Sequence, residues 1–162
     1  MTTKADFTEE EWARLERSPI VAAMAITLAD PGGPIEAVKE SMAAIKTVTE
    51  AAQSGDGLVG EVAQSFADKT KQRKSPLGGF KPKGALAGQE ILDELRAVNE
   101  LVTQKATPAE AAAFREWLLT SAKRAAEAAK EGGFMGFNAV RVSEGEQRML
   151  DELATTLGVR RD

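Results

Sequence analysis

Apolar residues recur at alternating three- and four-residue steps along most of the chain, which is the period of an amphipathic α-helix. The segment after Pro34 shows this most plainly, with apolar residues at Ile35, Val38, Met42, Ile45 and Val48. We expect this helix to run to Ser54-Gly55 and to turn that stripe towards the core. The same prediction leaves five charged residues to water: Glu36, Lys39, Glu40, Lys46 and Glu50.

Comparable stripes predict further helices on both sides of the middle of the chain. One follows Asp56, which we expect to cap it, and carries Leu58, Val59, Val62 and Phe66. Another runs to about Lys105 and carries Leu86, Ile91, Leu92, Leu95, Val98, Leu101 and Val102. Period-two alternation, which is typical of strands, is confined to a short stretch at 139–142. The fold class is therefore predicted to be all-α, a single domain over residues 1–162 with six to seven helices in an irregular, orthogonal bundle.

Capping signals predict where helices start. Capping boxes, in which a Ser or Thr and a Glu three residues later bond each other's backbone amides, begin at Thr8, Thr107 and Ser143. Ser18-Pro19 predicts a new helix that continues to Ala29, because Pro is favoured at the first helical position.

Glycine-rich segments predict the breaks between helices. The basic segment at about 69–84 is expected to form a flexible loop that divides two helical halves. Gly132-Gly133 is expected to end the long helix that follows Thr107, and residues 132–142 to fold irregularly over the core. Gly158 is expected to end the last helix in the left-handed conformation.

The composition limits the kinds of metal site and active site that the chain can form. The 162 residues include no Cys, His or Tyr, which excludes disulfides, Cys or His metal sites and every Ser-His or Cys-His catalytic arrangement. We therefore expect no enzymatic activity. The acidic start of the chain is unlike a signal peptide, and the uncharged run Ile20–Ala29 is about half of a membrane span. We expect a bacterial, cytoplasmic protein that is not inserted in a membrane, with Trp12 and Trp117 in its core.

One segment concentrates positive charge. It contains Phe80 and no acidic residue, and its cations are Lys69, Lys71, Arg73, Lys74, Lys81 and Lys83. Such a patch can bind the phosphates of a nucleic acid or an anionic membrane. The acidic isoelectric point of about 5.1 disfavours nucleic acid. The favoured alternative is a solvated loop that docks on the acidic face of the protein itself.

Carboxylates are the remaining candidates for a metal site. The pairs Glu36/Glu40, Glu90/Glu94 and Glu127/Glu131 each share a helix face at four-residue spacing. Oxygen ligands suit Ca²⁺ or Mg²⁺, but such pairs are also common on solvated helices. No other cofactor is expected.

Two segments are similar to a known helical pattern. Residues 25–30, Ala-Ile-Thr-Leu-Ala-Asp, precede glycines and Ile35-Glu36, and residues 128–133 with 142–150 repeat this arrangement across a longer insertion. Together they resemble TerB-like (tellurite-resistance-associated) bacterial helical domains over about a third of the chain. The resemblance implies an all-helical, stress-associated domain whose acidic residues bind a divalent ion. By position, those residues are Asp30, Glu36, Glu131 and Glu146.

Three functional hypotheses follow. The first is a non-enzymatic, stress-associated interaction module that responds to a divalent ion. The second is an adaptor for polyanions or anionic membranes that uses the cations of residues 69–83. The third is a homo-oligomeric scaffold, such as a homodimer, whose Ala-rich helices pack across a two-fold axis.

Overall fold

The computed structural model describes residues 2–30, 33–130 and 142–159. Within these ranges the chain contains two short 3₁₀ turns, Lys4–Asp6 and Gly84–Leu86, and no strand. Its α-helices are α1 (Glu9–Ala29), α2 (Pro34–Ser54), α3 (Gly57–Lys71), α4 (Ala87–Lys105), α5 (Pro108–Lys130) and α6 (Glu144–Leu157). The prediction of an all-α bundle is confirmed.

Helix α1 lies at the centre of the bundle and packs against each of the other five helices. The apolar second half of the helix explains this position, since Val21, Ala22, Ala25 and Ile26 are all fully or almost fully buried. A helix that is apolar on most sides can lose its solvent-accessible surface only when neighbours surround it.

The predicted helix start at Ser18-Pro19 is wrong, because α1 continues through Pro19 without a break. Pro19 has no backbone N–H to donate to the carbonyl of Leu15, four residues earlier. The hydroxyl of Ser18 donates to that carbonyl instead, at 2.7 Å. Ser18, which suggested the cap of a new helix, therefore donates to the carbonyl group that Pro19 cannot reach with a hydrogen bond.

The other start signals are mostly confirmed. The boxes at Thr8 and Ser143 both form, and Thr107 exchanges its hydrogen bonds with Glu110. Gly158 ends α6 in the left-handed conformation, with φ at 70°. Asp56 stands at the predicted position before α3, but its side chain makes no capping hydrogen bond.

Some predictions fall on residues 131–141, outside the described ranges. These are the helix end at Gly132-Gly133, the irregular cover over 132–142 and all but the last residue of the short strand at 139–142. Among the helices that are described, none combines the length and the apolar character that a membrane span requires.

Candidate interaction surface on helix α2

Helix α2 exposes most of the stripe that was predicted to face the core. Ile35 is 69% exposed, Val38 57%, Met42 65% and Ile45 44%. We call these four residues the α2 stripe. Single exposed apolar residues are ordinary, but a contiguous row along one helix face is typical of a binding surface. The expected burial is wrong for these four residues and confirmed only for Val48.

The core instead takes the face of α2 that carries small side chains. Ala44 is fully buried and packs with Ala23 of α1 and Ala125 of α5. Three alanines from three helices allow the helix axes to approach closely, which bulky residues would prevent. The α2 stripe lies on the other side of the helix, because each residue adds 100° of rotation.

A buried carboxylate fixes this rotation of α2. Glu40 was predicted to be exposed, but it is only 2% exposed and accepts a hydrogen bond from the hydroxyl of Thr27 on α1. Thr47 is also buried, and its hydroxyl donates to the carbonyl of Ala43 and accepts from Arg124. Buried polar groups need such partners. Turning the α2 stripe inward would carry Glu40 and Thr47 away from theirs.

A charged groove of about 820 Å³ runs beside the α2 stripe, between α2 and α5. Met42 belongs to both surfaces, and the groove is also lined by Lys39, Lys46, Glu50, Arg124 and Glu127. Arg124 and Glu50 form an exposed ion pair at 2.5 Å, which contributes little stability. The stripe thus has an apolar centre and a charged flank, the usual composition of an interface core and its rim.

The residues predicted to bind a divalent ion are only partly described. Asp30 caps the end of α1, and Glu36 lies in the first turn of α2. Glu146 is buried in the first turn of α6 and accepts from the amide of Ser143. Glu131 lies outside the described residues.

The ends of α1 and α6 nevertheless touch. A β-carbon at Gly145 would lie 2.9 Å from the carbonyl oxygen of Ala29, so the elements that carry Asp30 and Glu146 are neighbours. No group of three or more acidic residues suited to a metal is found in residues 2–30, 33–130 and 142–159. Binding of Ca²⁺ or Mg²⁺ by these residues stays a prediction, for which calcium titration in a calorimeter is the test.

The six predicted polyanion ligands divide between two elements. Lys69 and Lys71 belong to α3, and Lys69 pairs with the buried carboxylate of Glu16 at 3.2 Å. Arg73 follows α3 with a φ of 59°, a conformation that usually requires glycine. Lys71, Arg73, Lys74, Lys81 and Lys83 are exposed, and the described residues place no carboxylate in ion-pair contact with them.

The loop that carries Lys81 rests on acidic residues of α4. Lys81 and Phe80 line a groove with Glu90, Asp93 and Glu94. Phe80 is half-buried under the guanidinium of Arg17, 5.4 Å from the ring centre. Its ring is therefore committed to an intramolecular contact.

Two carboxylates outside these surfaces have lowered pKa values: Glu110 holds Thr2 of the N-terminal segment, and Glu11 joins α1 to α4 through Lys105. The hydroxyl of Thr2 donates to Glu110 and lowers the pKa of that carboxyl from 4.5 to about 2. Lys105, which donates to Glu11 at 2.7 Å, lowers the pKa of Glu11. Neither group borders the α2 stripe.

Sequence reasoning identified the residues of the α2 stripe but placed them on the wrong side of the helix. A second signal was present, since Ala37, Ala44 and Ala51 recur at seven-residue spacing and place small side chains along the opposite face. Each helix face could have been the buried one. The choice depends on the alanines of α1 and α5 that meet Ala44, which a local pattern does not contain.

Comparison with known proteins found no matching family model, curated protein or solved structure. The resemblance to TerB-like domains therefore stays a prediction, and function is argued from the geometry of the chain.

Proposed function

We propose that this chain is a non-enzymatic interaction module that binds another protein surface through the α2 stripe. The observation that carries the proposal is the exposure of four large apolar side chains on one face of α2, while the small-residue face fills the core. The composition supports a non-enzymatic role, because the chain has neither His nor Cys.

The spacing of the α2 stripe fits a known way of recognising a partner. Its members stand at positions i, i+3, i+7 and i+10 of one helix, like the anchors of a helix that lies against an apolar groove or a second helix. Burying the exposed parts of these side chains would contribute about 3–6 kcal/mol before the entropic cost of association. This free energy suits a reversible contact.

Site-specific crosslinking tests the proposal. A photoreactive amino acid replaces Met42 on the stripe or, as the matched control, the exposed Glu100 on α4. In living cells, we expect discrete crosslinked species from position 42 and few from position 100. Adding Val38→Asp to the position-42 protein should remove those species, while circular dichroism shows that it remains folded. Equal crosslinking at the two positions would contradict the proposal.

A second candidate function rests on the cations at the end of α3. Lys71, Arg73 and Lys74 are exposed without an ion pair among the described residues, and Arg73 keeps a backbone conformation that costs free energy. A polyanion would supply the missing counter-charges. Binding to anionic vesicles should then weaken as salt rises and should be lost in the triple Lys71→Glu, Arg73→Glu, Lys74→Glu variant. Salt-independent binding, or none, would exclude an anionic membrane as the partner of these cations.

A further inference from the structure

We infer that Ser75 is a phosphorylation site, modified by a protein kinase that recognises the cations at the end of α3. Ser75 lies in the segment that joins α3 to α4. The inference is independent of the α2 stripe and concerns a different part of the chain. Exposure, hydrogen bonding and local charge each distinguish Ser75 from the other hydroxyl-bearing residues.

The position of Ser75 is the first distinction. A kinase has to bring the substrate hydroxyl to the phosphorus of its bound nucleotide, which requires an exposed side chain on a segment that can enter the active site. Within residues 2–30, 33–130 and 142–159, Ser75 is the one exposed Ser or Thr that neither belongs to an α-helix nor caps one. The other exposed hydroxyls lie on helices, at Ser41, Thr49, Ser54, Thr70, Thr103 and Thr155, or at the caps Thr8 and Thr107.

The hydroxyl proton of Ser75 is not used by the fold. Its oxygen accepts a hydrogen bond from the amide of Leu77 at 3.3 Å, and its proton donates to none of the described residues. The exposed hydroxyls of Thr49 and Thr103 instead donate to backbone carbonyls four residues earlier. Pro76 disfavours the helical conformation at Ser75 and so keeps it outside a helix. Transfer of a phosphoryl group to Ser75 therefore breaks no helical hydrogen bond.

The charge in front of Ser75 is the third distinction. Lys71, Arg73 and Lys74 are exposed, and the described part of the chain places no carboxylate in ion-pair contact with them. Kinases select their substrates partly by complementary charge, so these cations favour a kinase whose substrate groove is acidic. Since the whole chain has a net charge of −4, this attraction is local to the end of α3.

The same cations stabilise the product. In the transfer, the hydroxyl oxygen of Ser75 bonds to the γ-phosphorus of a nucleoside triphosphate, and the bond from that phosphorus to the β,γ-bridging oxygen breaks. The nucleoside diphosphate leaves, and a base of the kinase takes the hydroxyl proton. Phosphoserine carries a charge of about −1.5 to −2 at pH 7. Arg73 and Lys74, two residues and one residue away, supply its counter-charges.

Phosphorylation also changes the charge at the end of α3. Residues 71–75 carry three cations and no acidic residue, so their charge falls from three positive charges to about one. A contact between these cations and a polyanion, the second candidate function, would weaken accordingly. The modification itself does not depend on that candidate and is tested separately.

Phosphopeptide mass spectrometry tests the site, with the chain purified from its own cells during growth and in stationary phase. We expect the mass of one phosphoryl group on the peptide that contains Ser75, and its loss in Ser75→Ala. Thr103 is the matched control, because it is exposed but its hydroxyl donates within α4. Absence of phosphate from Ser75 in both samples would overturn the inference. Equal modification of Thr103 would overturn it as well.

Labelling in an extract of the same cells tests recognition by charge. The purified chain is incubated with adenosine triphosphate that is labelled on its γ-phosphate, and the label on Ser75 is measured. Replacing the three cations at the end of α3 with Glu should remove most of the label. Lys123→Glu together with Arg148→Glu, at exposed positions of α5 and α6, should leave it unchanged. Circular dichroism shows that both variants remain folded. Equal labelling of the two variants would overturn recognition through the cations at the end of α3.

Discussion

Helices α2 and α4 have similar lengths, 21 and 19 residues, and each carries an apolar stripe with helical spacing. The stripe of α4 is buried almost completely, through Ile91, Leu92, Leu95, Val98, Leu101 and Val102. The stripe of α2 is exposed, and only the adjacent Val48 is buried. The two stripes have the same spacing and predict the same burial, but the stripe of α4 faces the core and the stripe of α2 faces solvent.

The difference lies in the opposite face of each helix. The far side of α4 presents Gln89, Asp93 and Arg96 to solvent, and these residues cannot enter an apolar core without large desolvation costs. The far side of α2 presents alanines, together with Glu40 and Thr47, which find hydrogen-bond partners. The spacing of apolar residues therefore predicts the buried face of a helix only when the opposite face carries side chains that are costly to bury.

The largest expected effect is that of truncating the stripe of α4. Leu95 is fully buried, so Leu95→Ala removes apolar contacts and leaves a cavity. It should lower the free energy of unfolding by about 2–5 kcal/mol. Met42→Ala on α2, measured by urea denaturation of the same dilute protein, should change it by less than about 0.5 kcal/mol. Similar losses for both variants would mean that the α2 stripe is buried.

A smaller loss is expected from the buried carboxylate of α2. Glu40→Ala leaves the Thr27 hydroxyl with only its longer contact to the carbonyl of Ala23, at 3.5 Å, and should cost about 1–3 kcal/mol. The matched control is Glu50→Ala, which removes the exposed ion pair with Arg124 and should cost less than about 1 kcal/mol. Equal effects on the urea midpoint would show that Glu40 does not determine the rotation of α2.

The carboxylate of Glu110, at the start of α5, is expected to make the stability of the bundle depend on pH. The pKa of Glu110 is lowered to about 2 in the folded chain, so its stabilising contribution is complete above 4.5. It is lost as the pH falls from 4.5 towards 2, because protonation becomes more favourable in the unfolded chain. Glu110→Gln keeps a side chain that can cap α5 but cannot titrate. The unfolding free energy of Glu110→Gln should fall less than that of the natural chain between pH 4.5 and 2. Parallel pH profiles for the two proteins would show that Glu110 does not contribute to this pH dependence.

The smallest expected effect has the opposite sign. Val38 is exposed in the middle of a helix, where Ala has the higher propensity, so Val38→Ala should raise the free energy of unfolding by up to about 0.5 kcal/mol. Val98→Ala, at a fully buried position of α4, should lower it. Thermal unfolding of the two variants shows whether each substitution raises or lowers the stability of the protein. A loss at Val38 comparable to that at Val98 would contradict the exposure of the α2 stripe.

Local chemistry made much of the fold predictable. Thr8, Ser143 and Gly158 act within one helical turn, so their signals can be identified in a single stretch of sequence. Pro19 misled the prediction because the hydroxyl of the preceding residue satisfies the carbonyl that proline leaves. The α2 site needed information from other helices, namely the alanines of α1 and α5 and the hydroxyl of Thr27.

Methionine oxidation tests the central claim, that the α2 stripe is exposed in the folded chain, most directly. Peroxide converts accessible Met to the sulfoxide, and peptide mass spectrometry gives a rate for each site. In dilute folded protein, Met42 should oxidise nearly as fast as in the denatured chain. Met24 and Met149, which are half-buried, should oxidise more slowly. A Met42 as protected as Met24 would contradict the account.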